Sequence, residues 1–335
     1  MKKILFLVTS AVLLSILFFI FNGQNQKLIK PTSDSFKEKP LDKYSFENLA
    51  STTFKPSQIT FGKVIKDEID FTSIMFYFFV DNKKVSGLAN IPKKEGSFPI
   101  IVMFRGYVPQ ETYQTGIGTE HSGEVFAQNG LITLAPDFLG FGESDKPSEN
   151  SIEERFQTYS TALTLLESIK NLNQALETND SLARGQTDKI GIWGHSNGGQ
   201  IAISTLEITG KSYPTILWAP VSKPFPYSIL YFTDEFDDHG KALRKIVADF
   251  EKDYDIEKYS PTNFFGKIDS PIQLHQGSQD EAVPQKWSDQ LKDNLEKLDK
   301  SVEYFVYPQE DHNFAKGSWP TVIQRSINFY KEQLL

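Results

Sequence analysis

The stretch that decides the fold is Ile190–Ile203, which reads IGIWGHSNGGQIAI. Its apolar start predicts a buried strand, its Gly-Gly pair predicts a tight turn, and the residues that follow have helical spacing. The range Gly194–Gly198 matches the pattern Gly-x-Ser-x-Gly. In a strand–turn–helix frame this pattern presents a serine hydroxyl above a sheet, with small flanking residues because the turn is tight. We therefore predict a nucleophile at Ser196, and the alternative is an ordinary glycine-rich turn in which Ser196 caps the helix.

Strand and helix patterns alternate on both sides of this turn. Apolar runs predict strands at Pro99–Tyr107, Leu131–Asp137, Lys189–Gly194, Thr215–Pro220, Ser270–Gly277 and Val302–Pro308. Helical spacing recurs at Gly123–Gly130, Ile152–Leu176, Gly198–Ile208, Gln285–Leu298 and Trp319–Leu334. Such alternation predicts an α/β fold with a mostly parallel sheet and helices on both faces. The β-rich stretches before Pro92 look antiparallel, so we expect a mixed sheet.

An insertion interrupts the alternation from Val221 to about Gly266. This stretch is rich in Phe, Tyr, Asp and Lys, and we predict a small, mostly helical, cap-like segment over one end of the sheet. Its candidate substrate-pocket residues are Phe225, Tyr227, Tyr231 and Phe232. Core packing is the alternative for these rings.

A serine nucleophile needs a general base and an acid that orients the base. In this kind of fold the chain order is Ser, then Asp or Glu, then His. Asp280 follows one predicted strand and His312 follows the next. Because loops at the carboxyl ends of parallel strands converge on one edge, we predict that Ser196, Asp280 and His312 form a catalytic triad. Glu281 stays open as an alternative acid, whereas Asp311 is less suitable because it adjoins His312.

Two backbone N–H groups should stabilise the developing oxyanion. Asn197 follows the nucleophile and is the first expected donor. Tyr107 follows a predicted strand and is the second. The Arg105 side chain or the Tyr107 ring could shape an acyl pocket, although Arg105 could instead anchor its loop through a salt bridge. His195 is expected to support the site from within the turn.

Composition excludes several other classes of protein. The 335 residues carry 35 Lys and Arg against 43 Asp and Glu, a net charge of −8, and contain no Cys. An acidic chain without basic clusters is a poor nucleic-acid binder. Without Cys there is no thiol nucleophile and no Cys-ligated metal site. No dinucleotide fingerprint, P-loop or zinc-protease motif is present, so we expect neither a metal nor an organic cofactor.

The N-terminal residues resemble an export signal. Lys2 and Lys3 precede an uncharged, mostly apolar run from Ile4 to Phe21. At about 1.5 Å per residue this run could nearly cross a bilayer core. It lacks a small-residue cleavage site, so we predict a signal-anchor over residues 1–22, with a cleaved signal peptide as the alternative. The remaining chain would then face outside the cytoplasm, anchored to the membrane or secreted.

The polar residues 23–55 are predicted to form a tether, with some packing by Tyr44, Phe46 and Leu49 onto the domain. Composition places the catalytic domain at residues 56–335.

Five stretches together resemble the α/β-hydrolases, and most of all the catalytic domain of the prolyl oligopeptidase family. They are VMFRGY at 102–107, APDFLGFGESD at 135–145, GHSNGG at 194–199, IDSPIQLHQGSQDEAVP at 268–284 and YPQEDHNF at 307–314. The resemblance implies an α/β-hydrolase fold and a serine hydrolase. It maps the family's catalytic residues onto Ser196, Asp280 and His312.

The sequence also departs from that family. Only about 50 residues precede the first strands, so the large β-propeller of the bigger peptidases is not expected. Phe104 stands where some members carry a tyrosine that serves the oxyanion hole, so backbone donors must contribute more. We expect cleavage of a small ester or of a short peptide through an acyl-enzyme. The alternative is a non-catalytic extracytoplasmic binding protein on a hydrolase scaffold.

Overall fold

A computed structural model describes residues 38–233 and 236–335 of the protein. The predicted N-terminal signal-anchor at residues 1–22 lies outside the described residues. The chain divides after Pro40, and the compact unit from Leu41 to Leu335 carries the fold. Among the described helices, none combines the length and the apolar character that crossing a membrane would require.

Within the described residues, nine strands form a single mixed sheet in the order β1-β2-β3-β5-β4-β6-β7-β8-β9. The strands are β1 (Thr60–Asp67), β2 (Phe71–Val80), β3 (Lys83–Pro92), β4 (Gly96–Phe104), β5 (Ile132–Pro136), β6 (Ala183–His195), β7 (Thr215–Trp218), β8 (Ile272–Gly277) and β9 (Val302–Tyr307). The first three are antiparallel to their neighbours, and the other six run parallel to one another. This is the mixed, mostly parallel sheet that the sequence predicts.

Helices cover both faces of the sheet. They are α1 (Phe46–Ser51), α2 (Glu120–Gln128), α3 (Ser151–Ser168), α4 (Leu172–Thr178), α5 (Asn197–Thr209), α6 (Tyr227–Leu230), α7 (Lys241–Glu251), α8 (Gln285–Glu296) and α9 (Trp319–Leu334). Side chains of β4 alternate between two cores, because successive strand residues point to opposite faces. Ile100 and Val102 pack into the core that includes α3 and α5, and Ile101 and Met103 into the core that includes α2 and α9.

Some element boundaries differ from the sequence-based expectation. The predicted helical segment at 152–176 consists of two helices, α3 and α4, separated by a 3₁₀ turn at Ile169–Asn171. Strand β6 begins at Ala183, six residues before the predicted start, because its polar first half pairs with Gly96–Phe98 of β4. Such pairing depends on the neighbouring strand and not on the local apolar pattern.

The packed chain begins well before residue 56. Tyr44, Phe46 and Leu49 are buried in the core, which is the packing expected of these three residues in an otherwise polar stretch. The Phe46 ring stacks on Phe264 with 4.8 Å between ring centroids. A few aromatic residues therefore fix a mostly polar segment onto the domain, because each buries a large apolar area.

Candidate active site

Ser196 occupies the sharp turn between β6 and α5. Its backbone has φ 56° and ψ −121°, a conformation that costs free energy for a residue with a side chain. Its N–H donates to the carbonyl of Trp218 at 2.9 Å, and its carbonyl accepts from Val221 N–H at 2.9 Å. Hydrogen bonds to the chain that follows β7 therefore hold the serine in this strained geometry.

The glycines around Ser196 are required by close backbone packing. A Cβ added to Gly198 would lie 1.9 Å from the carbonyl oxygen of Phe104, and one added to Gly194 would lie 2.5 Å from the carbonyl oxygen of Gly198. At Gly199 an added Cβ would lie 2.5 Å from that of Pro220. No larger residue fits at these positions unless the backbone moves. This steric limit explains why the pattern Gly-x-Ser-x-Gly-Gly has glycine at all three positions.

The carboxylate of Asp280 and the ring of His312 are directly hydrogen-bonded. His312 Nδ1 lies 2.8 Å from Asp280 Oδ2. Asp280 Oδ2 also accepts from Gln276 Nε2 at 3.0 Å, and its Oδ1 accepts from the backbone N–H groups of Ala282 and Val283. Because the carboxylate accepts, Nδ1 carries the proton and Nε2 is left with a lone pair that can take one.

Neither of the two alternative acids, Glu281 and Asp311, takes the place of Asp280 beside His312. Glu281 is exposed, and the Asp311 carboxylate accepts from the backbone N–H groups of Asn313 and Ala315 in its own loop. The structure therefore pairs His312 with Asp280.

The loop that carries His312 is anchored by Glu310 and packs against Gly277. Buried Glu310 accepts from the backbone N–H groups of Lys316 at 2.9 Å and Ser318 at 2.6 Å. A Cβ on Gly277 would lie 2.4 Å from the carbonyl oxygen of Asp311, so the loops that carry acid and base are in contact. No sequence pattern marks such an anchor, although Glu310 lies only two residues before the histidine.

His195 also holds His312 in place. Its Nε2 lies 3.0 Å from the backbone carbonyl of His312, and the two ring centroids are 4.6 Å apart. Because a carbonyl only accepts, His195 Nε2 must carry the proton. Burial, and next the neighbouring His312 ring, lower the pKa of His195 to about 3, so the ring is neutral at pH 7. His195 is thus a neutral donor that fixes the loop of His312.

The loop after β4 lies against the nucleophile. A Cβ on Gly106 would lie 3.0 Å from the Cβ of Ser196, so the Gly106 backbone passes close to the serine. The next residue, Tyr107, has an exposed ring. Asn197, the residue after Ser196, begins α5, whose first N–H groups have no acceptor within the helix. Asn197 and Tyr107, the two residues predicted as oxyanion donors, line one cavity next to the serine turn.

Arg105 anchors this loop, and no carboxylate of the described residues forms an ion pair with it. Its buried guanidinium donates to the backbone carbonyls of Gly106 at 2.9 Å and Asp137 at 3.0 Å. It lies 4.4 Å from the ring centroid of Tyr113 and 4.1 Å from that of Phe141. The salt bridge considered from sequence is replaced by carbonyl oxygens and aromatic faces, which a guanidinium also binds well.

The aromatic residues of the insertion divide into two groups. Phe225 is buried in the core and packs against Phe156 with 5.5 Å between centroids, so packing is its role and it does not line an open pocket. Tyr227, Tyr231 and Phe232 are partly exposed and surround Trp287, with centroid distances of 6.1, 4.7 and 6.0 Å. We call these three rings and Trp287 the aromatic patch.

The aromatic patch is coupled to the loops that carry Ser196 and Asp280. Trp287 packs in a small buried cluster with Val221, whose N–H bonds to Ser196, and Val283, whose N–H bonds to Asp280. No sequence pattern marks Trp287 as part of the site, because a tryptophan in an amphipathic helix is usually a core residue.

A cavity of about 220 Å³ lies beside Asn197, the residue after the nucleophile. Its walls include Arg105 and Tyr107 from the loop after β4, and Arg155, Tyr159 and Gln200 from α3 and α5. Within the described chain, no group of three or more His, Asp and Glu side chains is placed to hold a metal ion.

Comparison with known sequences points to one family. Residues 119–335 match the prolyl oligopeptidase family. The chain is 24% identical over 255 residues to the protein named uncharacterized peptidase YtmA of Bacillus subtilis (strain 168), a match that covers 75% of this chain and 90% of that protein. It is also 28% identical over 136 residues to dipeptidyl peptidase family member 6 of Caenorhabditis elegans, covering 38% of this chain and 18% of that one.

Solved structures share the fold at lower identity. An acetyl xylan esterase from Paenibacillus sp. R4 superposes with a TM-score of 0.61 at 15% identity, covering 89% of this chain and 96% of that one. The acylaminoacyl peptidase of Pyrococcus horikoshii gives a TM-score of 0.55 at 19% identity, covering 79% of this chain and 42% of that one. Esterases and peptidases thus share this α/β-hydrolase fold, and the fold alone does not separate their substrates.

Proposed function

Because the chain belongs to the prolyl oligopeptidase family and is a serine hydrolase, we propose that Ser196, His312 and Asp280 are its catalytic triad and that it hydrolyses small esters. The observation that carries this proposal is the 2.8 Å hydrogen bond between Asp280 and His312 Nδ1, at the strand ends where the strained Ser196 turn also lies. The acid and the base are thereby paired in the tautomer that the reaction requires.

Acylation begins when Ser196 Oγ attacks the substrate carbonyl carbon and His312 Nε2 takes the hydroxyl proton. Asp280 keeps the proton on Nδ1 and stabilises the imidazolium that forms. The tetrahedral intermediate carries negative charge on the former carbonyl oxygen. The backbone N–H groups of Asn197 and Tyr107 hold that oxyanion.

The intermediate collapses when the bond from carbon to the leaving group breaks. His312 Nε2 returns its proton to the departing oxygen and leaves an ester on Ser196. A water molecule then attacks this ester while His312 takes one of its protons. Collapse of the second intermediate releases the acid and returns the proton to Ser196 Oγ.

Peptide hydrolysis is the second candidate function, and family membership together with the name of the Bacillus subtilis relative favours it. The same residues would serve, with His312 protonating an amine. We place small esters before peptides as substrates because the cavity beside Asn197 is only about 220 Å³, which suits a short acyl group. The two candidates differ in leaving group and not in the proposed machinery.

A fluorophosphonate probe tests the proposed nucleophile. Wild type should be labelled and should hydrolyse p-nitrophenyl acetate or butyrate. Ser196→Ala should lose labelling, and Asp280→Asn should lose about 10⁴-fold in kcat because His312 would adopt the wrong tautomer. Glu281→Gln is the matched control, since this neighbouring carboxylate is exposed, and it should behave as wild type.

The outcome also decides between the candidate functions. A folded wild type that is neither labelled nor active would support the scaffold-protein alternative. Labelling accompanied by faster cleavage of prolyl or aminoacyl p-nitroanilides than of the esters would move the assignment to peptidase.

We propose in addition that residues 1–22 export the chain and anchor it to the membrane facing outside. The basic residues Lys2 and Lys3 ahead of the apolar run Ile4–Phe21 support this. Full-length protein should partition with membranes and resist extraction by high salt. Recovery in the soluble cytoplasmic fraction would contradict it.

A further inference from the structure

The cavity beside Asn197 has a basic wall. Arg155, on α3, lines it together with Arg105. An Nη2 proton of Arg155 bonds to Oε1 of Gln200, whose side chain is buried in α5 and lines the same cavity. Gln200 in turn donates through Nε2 to the backbone carbonyl of Lys223 at 3.2 Å. Arg155 is therefore held at the cavity wall by a neutral amide that is itself fixed in place.

No carboxylate offsets the charge of Arg155. Among residues 38–233 and 236–335, none of the ion pairs involves Arg155. Glu154 also lines the cavity, but its side chain is exposed to solvent. Burial lowers the pKa of Arg155, as expected for a charge removed from water without a counterion. A guanidinium stays protonated even so, and the wall keeps its positive charge.

The position of the cavity identifies the part of the substrate that enters it. Its lining includes Asn197 and Tyr107, the proposed oxyanion donors. It includes neither His312 nor any residue of the aromatic patch. His312 must protonate the leaving group, which therefore departs on the His312 side. The acyl group of the substrate is left to occupy the cavity.

From this geometry we infer that the cavity selects an acyl group ending in a carboxylate, which Arg155 binds. The inference rests on the proposed hydrolase function and names its substrate class as half-esters of short dicarboxylic acids. A planar guanidinium can bind a carboxylate through two parallel hydrogen bonds. At roughly 30 Å³ for each water-sized group, the cavity holds about seven non-hydrogen atoms, enough for a succinyl or glutaryl chain.

Two p-nitrophenyl esters of similar length test this assignment. One is the half-ester of glutarate, and the other is the valerate, which ends in a methyl group. Wild type should prefer the glutaryl ester. Arg155→Gln should lower kcat/KM for that ester by about ten- to a hundred-fold, mainly through KM, because a charge-assisted hydrogen bond is lost. Turnover of the valeryl ester should be nearly unchanged, and Arg155→Lys should restore part of the preference.

Arg244→Gln is the matched control, because it removes the same charge from an exposed position in the insertion. It should leave the preference for the glutaryl ester unchanged. The inference is overturned if wild type shows no preference, or if Arg155→Gln reduces turnover of both esters equally, as a purely structural role would require. In either case the hydrolase function stands, whereas absence of turnover and of fluorophosphonate labelling would reject that function as well.

Discussion

The turn Gly194–Gly199 and Gly266, at the end of the insertion Val221–Gly266, use glycine in opposite ways. In the turn, a Cβ on Gly198 would lie 1.9 Å from a backbone oxygen, whereas a Cβ on Gly266 would meet no atom within 4 Å. The turn has backbone packed on backbone, and much of the aromatic surface of the insertion faces solvent. The contrast shows that contacts which tolerate no side chain fix the position of the nucleophile, whereas the end of the insertion at Gly266 has room for one.

Histidines show the same contrast. His195 in the turn is neutral and bonded to the loop of His312. His239 in the insertion is exposed. The desolvated ring at the turn needs a hydrogen-bond partner, and the backbone carbonyl of His312 provides it.

Among the substitutions that test this contrast, alanine at Gly198 should have the largest effect. The new methyl group would collide with the carbonyl of Phe104, so either the turn opens or β4 shifts. We expect a loss of at least about 3 kcal/mol in the free energy of unfolding. A displaced nucleophile should also reduce kcat/KM by at least about 100-fold. Urea denaturation and p-nitrophenyl ester turnover measure the two effects.

Gly266→Ala is the counterpart in the insertion. Its methyl group enters open space, so the free energy of unfolding should change by no more than about 0.5 kcal/mol and turnover should persist. Equal effects of the two substitutions would contradict the distinction between the regions.

A smaller effect concerns the pH dependence of stability. The pKa of His195 is about 3 in the folded protein and 6.5 for an ordinary histidine. Between these values the unfolded chain binds a proton that the folded protein excludes, so stability falls as pH decreases from 7 toward 3. One such group costs roughly 2 kcal/mol between pH 7 and pH 5. The His195→Gln variant keeps an N–H donor and cannot titrate. Between pH 7 and pH 5 its free energy of unfolding should therefore fall by roughly 2 kcal/mol less than that of the wild type.

Urea denaturation of each protein at both pH values gives the comparison. If His195→Gln and wild type lost the same stability between pH 7 and pH 5, His195 would not be the neutral donor that bonds to the loop of His312. Buried His275, whose pKa burial also lowers to about 3, should retain its own share of the pH dependence in every variant.

Local sequence predicted the central features of the site. The apolar run before Ser196 and the small residues around it are enough to indicate a strand, a turn and a helix. Asp280 and His312 are each recognisable because they follow strand-like runs in the right order. Their hydrogen bond follows from topology, since parallel strands bring their carboxyl ends to one edge.

Other features depend on partners that are distant in sequence. Arg105 was a candidate for a salt bridge, but the Asp137 carbonyl and the Phe141 ring that it contacts come from a separate loop, after β5. Phe225 was a candidate pocket residue, and packing by Phe156 places it in the core. Arg155 carries no motif at all, and its location at the wall of the cavity depends on the packing of α3 against α5.

The sequence by itself determined the backbone conformations that only small residues permit and the order in which the reactive groups follow their strands. These properties are local, because steric exclusion and hydrophobic periodicity act over a few residues. The tertiary structure alone decided which side chains face the open space beside Ser196, which rings are buried and where a charge is left without a counterion. Those outcomes depend on the close packing of elements far apart along the chain, and no local pattern records them.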